Sequence, residues 1–476
     1  MMLFYVFTLL LLSNVVASKS IINSLPGFVG NLPFVLETGY IGVGESEAVQ
    51  LFYYFIASER SPEDDPLVLW LTGGPGCSAL SGLVYEIGPL SFDYAKSSGG
   101  GEPVFALNPY SWTKVTNFYS PEIFIRIVQL NVTVELYAPA GTGFSYSTTL
   151  EGYDVSDTLS AALTCEFLRK VREMACGSPR VSYKSLYVAG DSYSGIIAPI
   201  IVQEISDGNE VGDQPTMNLK GYVLGNPVTD DEIDTNSIVP FAHLKALISD
   251  ELYESFMKNC KGEYLNPDQS NASCMEDILA IKECIGKLFT GQILEPLCKT
   301  ISPKPITLKL NPRFLIADDT DILLSSPHVP RPWCRHFNYV YIYKWANDET
   351  VQDALHIRKG TKSIGKDAIR PWLIRTMSKV SVDYHRNLTK KPYRALIYSG
   401  DHDMSIPYIG THEWIESLNL TISLTGNHGL YTMLYAYNEL DYITYDLRFG
   451  GGHTAPEYRP EQCLAMIDRW FDYYPL

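Results

Sequence analysis

Residues 185–205 read SLYVAGDSYSGIIAPIIVQEI: an apolar run of strand length, a turn of small residues with a serine at its apex, and a helical apolar pattern. A run that passes straight through a tight turn into a helix belongs to a sheet whose strands alternate with helices. The same grammar recurs along the chain. Strand-length runs at Ser185–Ala189, Leu67–Leu71, Leu219–Leu224 and Arg394–Tyr398 end in GDS, GGPG, GNP and SGD, and helical patterns occupy Ile196–Ile205 and Glu461–Phe471. The expected fold is α/β, with a mostly parallel central sheet covered on both faces and its ligands at the carboxyl edge of the strands.

A serine hydroxyl is a weak nucleophile. It gains reactivity when a strained turn presents it beside a base, with a following helix N-terminus to favour the anionic intermediate. Ser192 sits at such an apex, although Ser194 replaces the last glycine of a strict G-x-S-x-G pattern. An ordinary turn serine capping a helix is the bland alternative. Two later segments favour the reactive reading. The Arg394 strand delivers Asp401, His402 and Asp403 to its carboxyl end, and GGGH delivers His453 from a glycine-rich turn. The chain order Ser, Asp, His is that of the α/β-hydrolase fold. In this scheme Ser192 is the nucleophile, His453 the base and then acid, and an aspartate fixes the imidazole tautomer. The residues alone leave Asp401 and Asp403 as alternatives. The oxyanion hole would use the backbone N–H groups of Tyr193 and of Gly74 in WLTGGPG.

At 476 residues the chain holds three average domains or one large catalytic domain with an insertion. Its net charge of −17, with no basic run, argues against nucleic acid as a partner. Residues 1–18 read as a secretory leader too short to span a bilayer, and no later stretch is apolar enough for a span. Four sequons, at Asn131, Asn271, Asn387 and Asn419, fit a glycosylated protein, secreted or vacuolar. Nine cysteines without zinc spacing point to disulfides rather than metal. The HEWIE run at His412 lacks the second histidine of a zinc motif, and the glycine clusters lack nucleotide-binding spacing, so neither metal nor cofactor is expected. His243, His328, His336, His356, His385 and His428 read as surface or structural. From 230 to 331 the texture turns charged and cysteine-rich, which marks an inserted helical cap between a first core part, 19–229, and a second, 332–476.

WLTGGPGCS, GTGFSYS, GDSYSG, ISDELYESF, WANDETVQDALHIR, YSGDHDM and GGGHTAPEYRP, in this order, resemble the plant serine carboxypeptidase-like family. The resemblance implies Ser192, Asp403 and His453 as the triad, with Asp403 matching the second acid of a GDxD motif. It also implies disulfides Cys77–Cys334, Cys260–Cys274 and Cys284–Cys298. Family peptidases grip a peptide's terminal carboxylate with Asn in WLNGGPG, Glu in GESYAG and a further Glu. Here those positions are Thr72, Asp191 and Glu86, so Thr72, Gly73, Glu86 and Asp191 would line the substrate site. Asp is one methylene shorter than Glu, and Thr lacks the paired amide donor and acceptor. These two changes are similar to the acyltransferase branch, which takes acyl groups from glucose esters. The expected partners are therefore a small-molecule acyl donor and acceptor, with a peptide C-terminus as the alternative and an impaired family member as the third reading. Two stretches, Thr116–Tyr137 and Leu424–Phe449, depart from the family pattern; the second lacks a Trp-Arg-Pro-Trp segment ahead of the histidine, a loss expected to endanger the placement of His453.

Overall fold

A computed structural model describes residues 18–62, 64–75, 77–97, 102–115, 132–136, 140–175, 184–297, 335–359, 374–376, 380–425, 432–437, 440–447 and 450–472. Its frame is a twelve-stranded sheet. In chain order its strands are β1 (Ser18–Ile22), β2 (Leu36–Val43), β3 (Val49–Ala57), β4 (Leu67–Leu71), β5 (Val132–Leu136), β6 (Leu186–Asp191), β7 (Leu219–Gly225), β8 (Arg394–Gly400), β9 (Thr421–Thr425), β10 (Thr432–Tyr437) and β11 (Leu440–Leu447), with the short Tyr146–Ser147 pairing β3. Across the sheet they lie β1-β2-β3-β5-β4-β6-β7-β8-β11-β10-β9. Every pair from β5 to β11 through the centre is parallel, and antiparallel pairs flank both sides.

The central strands are continuous apolar runs because they are covered on both faces. All five residues of β4 and all seven of β8 are buried. Alternation along β6 sorts its side chains between two cores. Leu186 and Val188 pack with Ile196, Ile200 and Ile201 of α2 (Ser194–Val211), and with Phe167 and Leu168 of α1 (Asp157–Ala175). Tyr187 and Ala189 face the opposite core, built on Met466, Ile467 and Trp470 of α7 (Pro460–Phe471). A helix on each side thus fixes β6, and its carboxyl end is held as a rigid platform.

Between β7 and β8 the chain leaves the sheet, and α3 (Asp231–Asn236), α4 (Ile238–Leu244), α5 (Asp250–Cys260) and α6 (Ala272–Ile285) follow. Local chemistry starts them. Asp230, Ser249 and Asn271 cap α3, α5 and α6 by accepting backbone N–H groups of the first turn. The Cys260–Cys274 disulfide joins the end of α5 to the start of α6 across a Cα–Cα distance of 4.9 Å. Phe241, Phe256, Ile278 and Ile281 give this region its own apolar core, into which Met404 also inserts. The inserted helices therefore dock on the segment that follows β8.

The departing stretches resolve in part. Residues 116–131 and 137–139 lie outside the described residues, while β5 joins the sheet between β3 and β4. Of the second stretch, β10 and β11 form an antiparallel pair, and β11 runs parallel to β8.

Candidate active site

The turn after β6 closes tightly because its residues are small. A side chain at Gly190 would bring its Cβ within 2.3 Å of both the Leu71 carbonyl oxygen and Ser194 Oγ. Ser194 in the place of the motif's last glycine is accommodated: it is 3% exposed, and its hydroxyl donates to the Asp191 carbonyl at 2.6 Å. Ser192 adopts φ of 53°, a left-handed conformation unfavourable to a residue with a Cβ. Its neighbours enforce it. The Ser192 N–H donates to Gly225 O at 2.9 Å, and its carbonyl accepts from Val228 N at 2.9 Å and Gly195 N at 3.0 Å. The hydroxyl is thereby thrust beyond the edge of the sheet.

His453 and Asp403 converge on it. His453 Nε2 lies 2.8 Å from Ser192 Oγ, and His453 Nδ1 lies 2.6 Å from Asp403 Oδ2. An ionised carboxylate only accepts, so Nδ1 carries the hydrogen and Nε2 presents its lone pair to the serine hydroxyl. Asp403 is fully buried and receives two further donors, Asn226 Nδ2 at 2.9 Å and Ser405 N at 2.8 Å. Burial disfavours the charged imidazole, yet Asp403 and, more weakly, Asp191 outweigh it, and the His453 pKa is raised above its usual value. The arrangement can take the serine proton during attack on a carbonyl and stabilise the imidazolium that results.

Asn226 is the residue that sequence reasoning missed. It follows β7 in the GNP turn, is fully buried at φ 42°, and its Oδ1 accepts from Gly400 N at 3.2 Å. The GNP turn at the carboxyl end of a central strand was its only signal.

Around the nucleophile, the WLTGGPG loop approaches so closely that a Cβ on Gly73 would fall 2.5 Å from Ser192 Cβ. Asp191 Oδ1 accepts from Gly73 N at 3.0 Å and ties this loop to the elbow. Neither the Gly74 nor the Tyr193 N–H enters an internal hydrogen bond among the described residues, as donors awaiting an oxyanion require. Tyr193 is anchored through its hydroxyl, which donates to Asp157 Oδ1 at 2.9 Å. Glu86 is 4% exposed and, with Asp191, lies close enough to raise the pKa of both the Cys77 thiol and the Tyr398 hydroxyl, where desolvation is the larger cause. Thr72 Oγ1 is buried and makes no hydrogen bond among the described residues.

Desolvation pushes Asp191 up to about 6, against the pull of His453 and the Gly73 N–H. The ionised Asp191 in turn favours the imidazolium of His453. Asp191→Asn removes that charge, so His453 sheds its proton at lower pH. The acid limb of kcat/KM moves to lower pH in this variant, as a pH–rate profile against wild type will measure.

Other expected sites fare unevenly. Cys260–Cys274 is formed, but Cys77 and Cys284 carry free thiols. The partners implied for those two, Cys334 and Cys298, lie outside the described residues. Asn387 and Asn419 are exposed, Asn271 is engaged as the α6 cap, and Asn131 lies outside the described residues. Asp401 does not reach His453; its Oδ1 accepts from Gly450 N at 2.9 Å. His385 is fully buried against Tyr222, with Nδ1 2.8 Å from the phenol oxygen, and burial lowers its pKa to about 3, so it is a neutral core residue. His243 pairs with Asp250 at 2.8 Å.

Residues 26–473 match the family model for serine carboxypeptidases. The chain belongs to the serine carboxypeptidase family. It is similar to serine carboxypeptidase-like 1 of Arabidopsis thaliana, 44% identical over 97% of this chain and 94% of that one. It is also similar to serine carboxypeptidase-like 19 of the same plant, 41% identical over 99% and 98%. Among solved structures, a prohormone-processing carboxypeptidase from Saccharomyces cerevisiae superposes with a TM-score of 0.63 at 17% identity, covering 92% of this chain and 91% of that one, a likeness of fold. The α/β-hydrolase fold of this serine carboxypeptidase-like chain is thus established. Among the described residues no helix is long and apolar enough to cross a membrane.

Proposed function

We propose that this chain forms an acyl-enzyme on Ser192 and passes the acyl group from a glucose ester to a small acceptor. Ser192, His453 and Asp403 act as the triad, and the N–H groups of Gly74 and Tyr193 hold the oxyanion. Thr72, Gly73, Glu86 and Asp191 line the substrate site. The proposal places the protein in the secretory route, secreted or vacuolar and glycosylated; the exposed Asn387 and Asn419 suit that setting.

Ester or amide attack by Ser192 is common to the transferase and peptidase readings, so the distinction rests on what holds the substrate. The observation that carries transfer is the state of Asp191. One of its oxygens is taken by the Gly73 N–H, and the neighbouring Thr72 hydroxyl has neither the reach nor the paired donor and acceptor of an amide. A grip on a free carboxylate that loses such buried hydrogen bonds loses a large factor in specificity. The carboxypeptidase reading draws on a different observation. Glu86 and Asp191 converge on the same neighbours, and below about pH 6 a protonated Asp191 can donate a hydrogen bond to a carboxylate.

Purified protein incubated with hydroxycinnamoyl glucose and an acceptor panel is expected to yield transfer products, and a blocked dipeptide to be cleaved poorly. Efficient release of C-terminal amino acids without transfer overturns the leading reading. The double variant Thr72→Asn/Asp191→Glu restores the peptidase residues. Its ratio of dipeptide to glucose-ester kcat/KM rises by about tenfold or more, since a site rebuilt to hydrogen-bond a substrate group gains discrimination of that order.

A further inference from the structure

The turn that delivers His453 begins at Gly450, and both faces of that residue's backbone are gripped. Its N–H donates to Asp401 Oδ1 at 2.9 Å, and its carbonyl accepts from Gln292 Nε2 at 3.0 Å. Asp401 and Gln292 are buried, at 7% and 4% exposure. They arrive from different parts of the fold: Asp401 follows β8, and Gln292 follows α6 of the inserted region. The inserted region reaches further along the same turn. His453's own N–H donates to Gly291 O at 2.8 Å, and Ile293 N donates to His402 O at 3.1 Å. On the aspartate side, Met404 N donates to Thr290 O at 2.7 Å. Just past α4, Lys245 Nζ lies 3.4 Å from Asp401 Oδ2.

Four consecutive residues, Thr290 to Ile293, therefore bond to the segments that carry both Asp403 and His453. None of the four bonds is to a side chain of the triad. Their common effect is to set where the two turns stand relative to each other, and a histidine on a run of three glycines has little intrinsic preference for any one position. The segment after β8 holds the turn from the other side, through Asp401 and through His402 N, which donates to Gly451 O at 2.9 Å.

We propose that Asp401 and Gln292 are positioning residues that clamp Gly450 from either side and so hold His453 at hydrogen-bonding distance from Ser192. The inserted region is then part of the catalytic framework as well as a cover for it. The inference rests on the Ser192 acyl-enzyme reading and adds to it the residues on which the base depends.

The test uses the full chain and a fluorophosphonate probe, whose phosphorus is attacked by Ser192 Oγ with loss of fluoride while His453 takes the hydroxyl proton. Wild type is expected to be labelled at Ser192, located by peptide mass mapping. Asp401→Ala loses the acceptor and Gln292→Glu replaces a donor with an acceptor facing a carbonyl; each slows labelling by about 10- to 100-fold, the cost of a misplacement near an ångström. Asp401→Asn keeps an acceptor oxygen and restores the rate to within about threefold. With the acyl substrate, kcat falls in the two damaging variants while KM stays, a split that a loosened fold would not produce. Gln292→Met preserves volume without the donor and replaces Gln292→Glu if near-UV circular dichroism shows the latter to be unfolded. Unslowed labelling of folded Asp401→Ala and of the Gln292 variant overturns the positioning role alone. Wild-type protein that takes no label at Ser192 overturns the acyl-enzyme reading and this inference together.

Discussion

Ser192→Ala lowers turnover of any acyl substrate by about a millionfold, equivalent to about 8 kcal/mol of transition-state stabilisation. The size follows from the geometry. Attack requires an oxygen at the apex of the elbow, and His453 Nε2, 2.8 Å away, has no other hydroxyl to deprotonate at that position. The neighbouring Ser194 cannot substitute, because its hydroxyl is turned back onto the Asp191 carbonyl. Substrate binding and the oxyanion donors survive the change, so a residue of catalysis over water, about 10³- to 10⁴-fold, should remain. The fold should survive as well. Alanine meets the same φ of 53° with the same Cβ, and the hydrogen bonds that hold the turn are made by the backbone. Steady-state kinetics alongside circular dichroism check both halves; a folded variant with full activity would place the nucleophile elsewhere.

What the sequence made legible follows from how each feature is encoded. β4, β6, β7 and β8 are short apolar runs closed by glycine or proline because their residues are buried on both faces, and such strands were readable to within a few residues. Helix α2 was expected at Ile196–Ile205 and spans Ser194–Val211, since its ends depend on the turn and a left-handed Gly212 cap rather than on periodicity. The elbow was readable as well, because its small residues answer to close packing: a Cβ at Gly190 would fall 2.3 Å from the Leu71 carbonyl oxygen.

The parts that stayed hidden are those fixed by long-range contact. Asp401 and Asp403 stand two residues apart after one strand, and nothing in their spacing says which meets the imidazole. The family resemblance favoured Asp403, and in the fold Asp403 lies against His453 while Asp401 turns to Gly450. Gln292 meets Gly450 across 158 residues of chain, with no periodic or compositional mark. The expectation that losing the family's tryptophan-rich segment endangers His453 meets a physical answer in the same place: its turn is held by Gly291, Gln292 and Asp401. Asn226 is the third such case, an amide whose partners come from β8 and the turn beyond it.

Asp403→Asn is expected to lower kcat by about 10⁴-fold although it changes one atom. All three groups around this carboxylate are donors: His453 Nδ1 and Asn226 Nδ2 at one oxygen, Ser405 N at the other. A carboxylate satisfies them all, whereas an amide must aim its own N–H groups at one side. Placed toward Ser405, the amide nitrogen faces a backbone N–H that cannot change its role. Placed toward His453, it conflicts with Asn226 and drives the imidazole to the tautomer with hydrogen on Nε2. That tautomer points a donor at Ser192 Oγ and has no lone pair there to accept the proton. Loss of the charge also removes the main influence that raises the His453 pKa, so the activity that remains should extend to lower pH than in wild type. Asp401→Asn, two residues away, keeps its acceptor for the Gly450 N–H and turns its amide nitrogen toward Lys245, a long and partly exposed side chain 3.4 Å away that can swing to solvent, so it should stay within about threefold of wild type. The pair of variants separates the two carboxylates by kinetics alone. Equal losses in both would mean that His453 takes its hydrogen bond from neither as described, and comparable activity of Asp403→Asn and wild type would remove Asp403 from the triad.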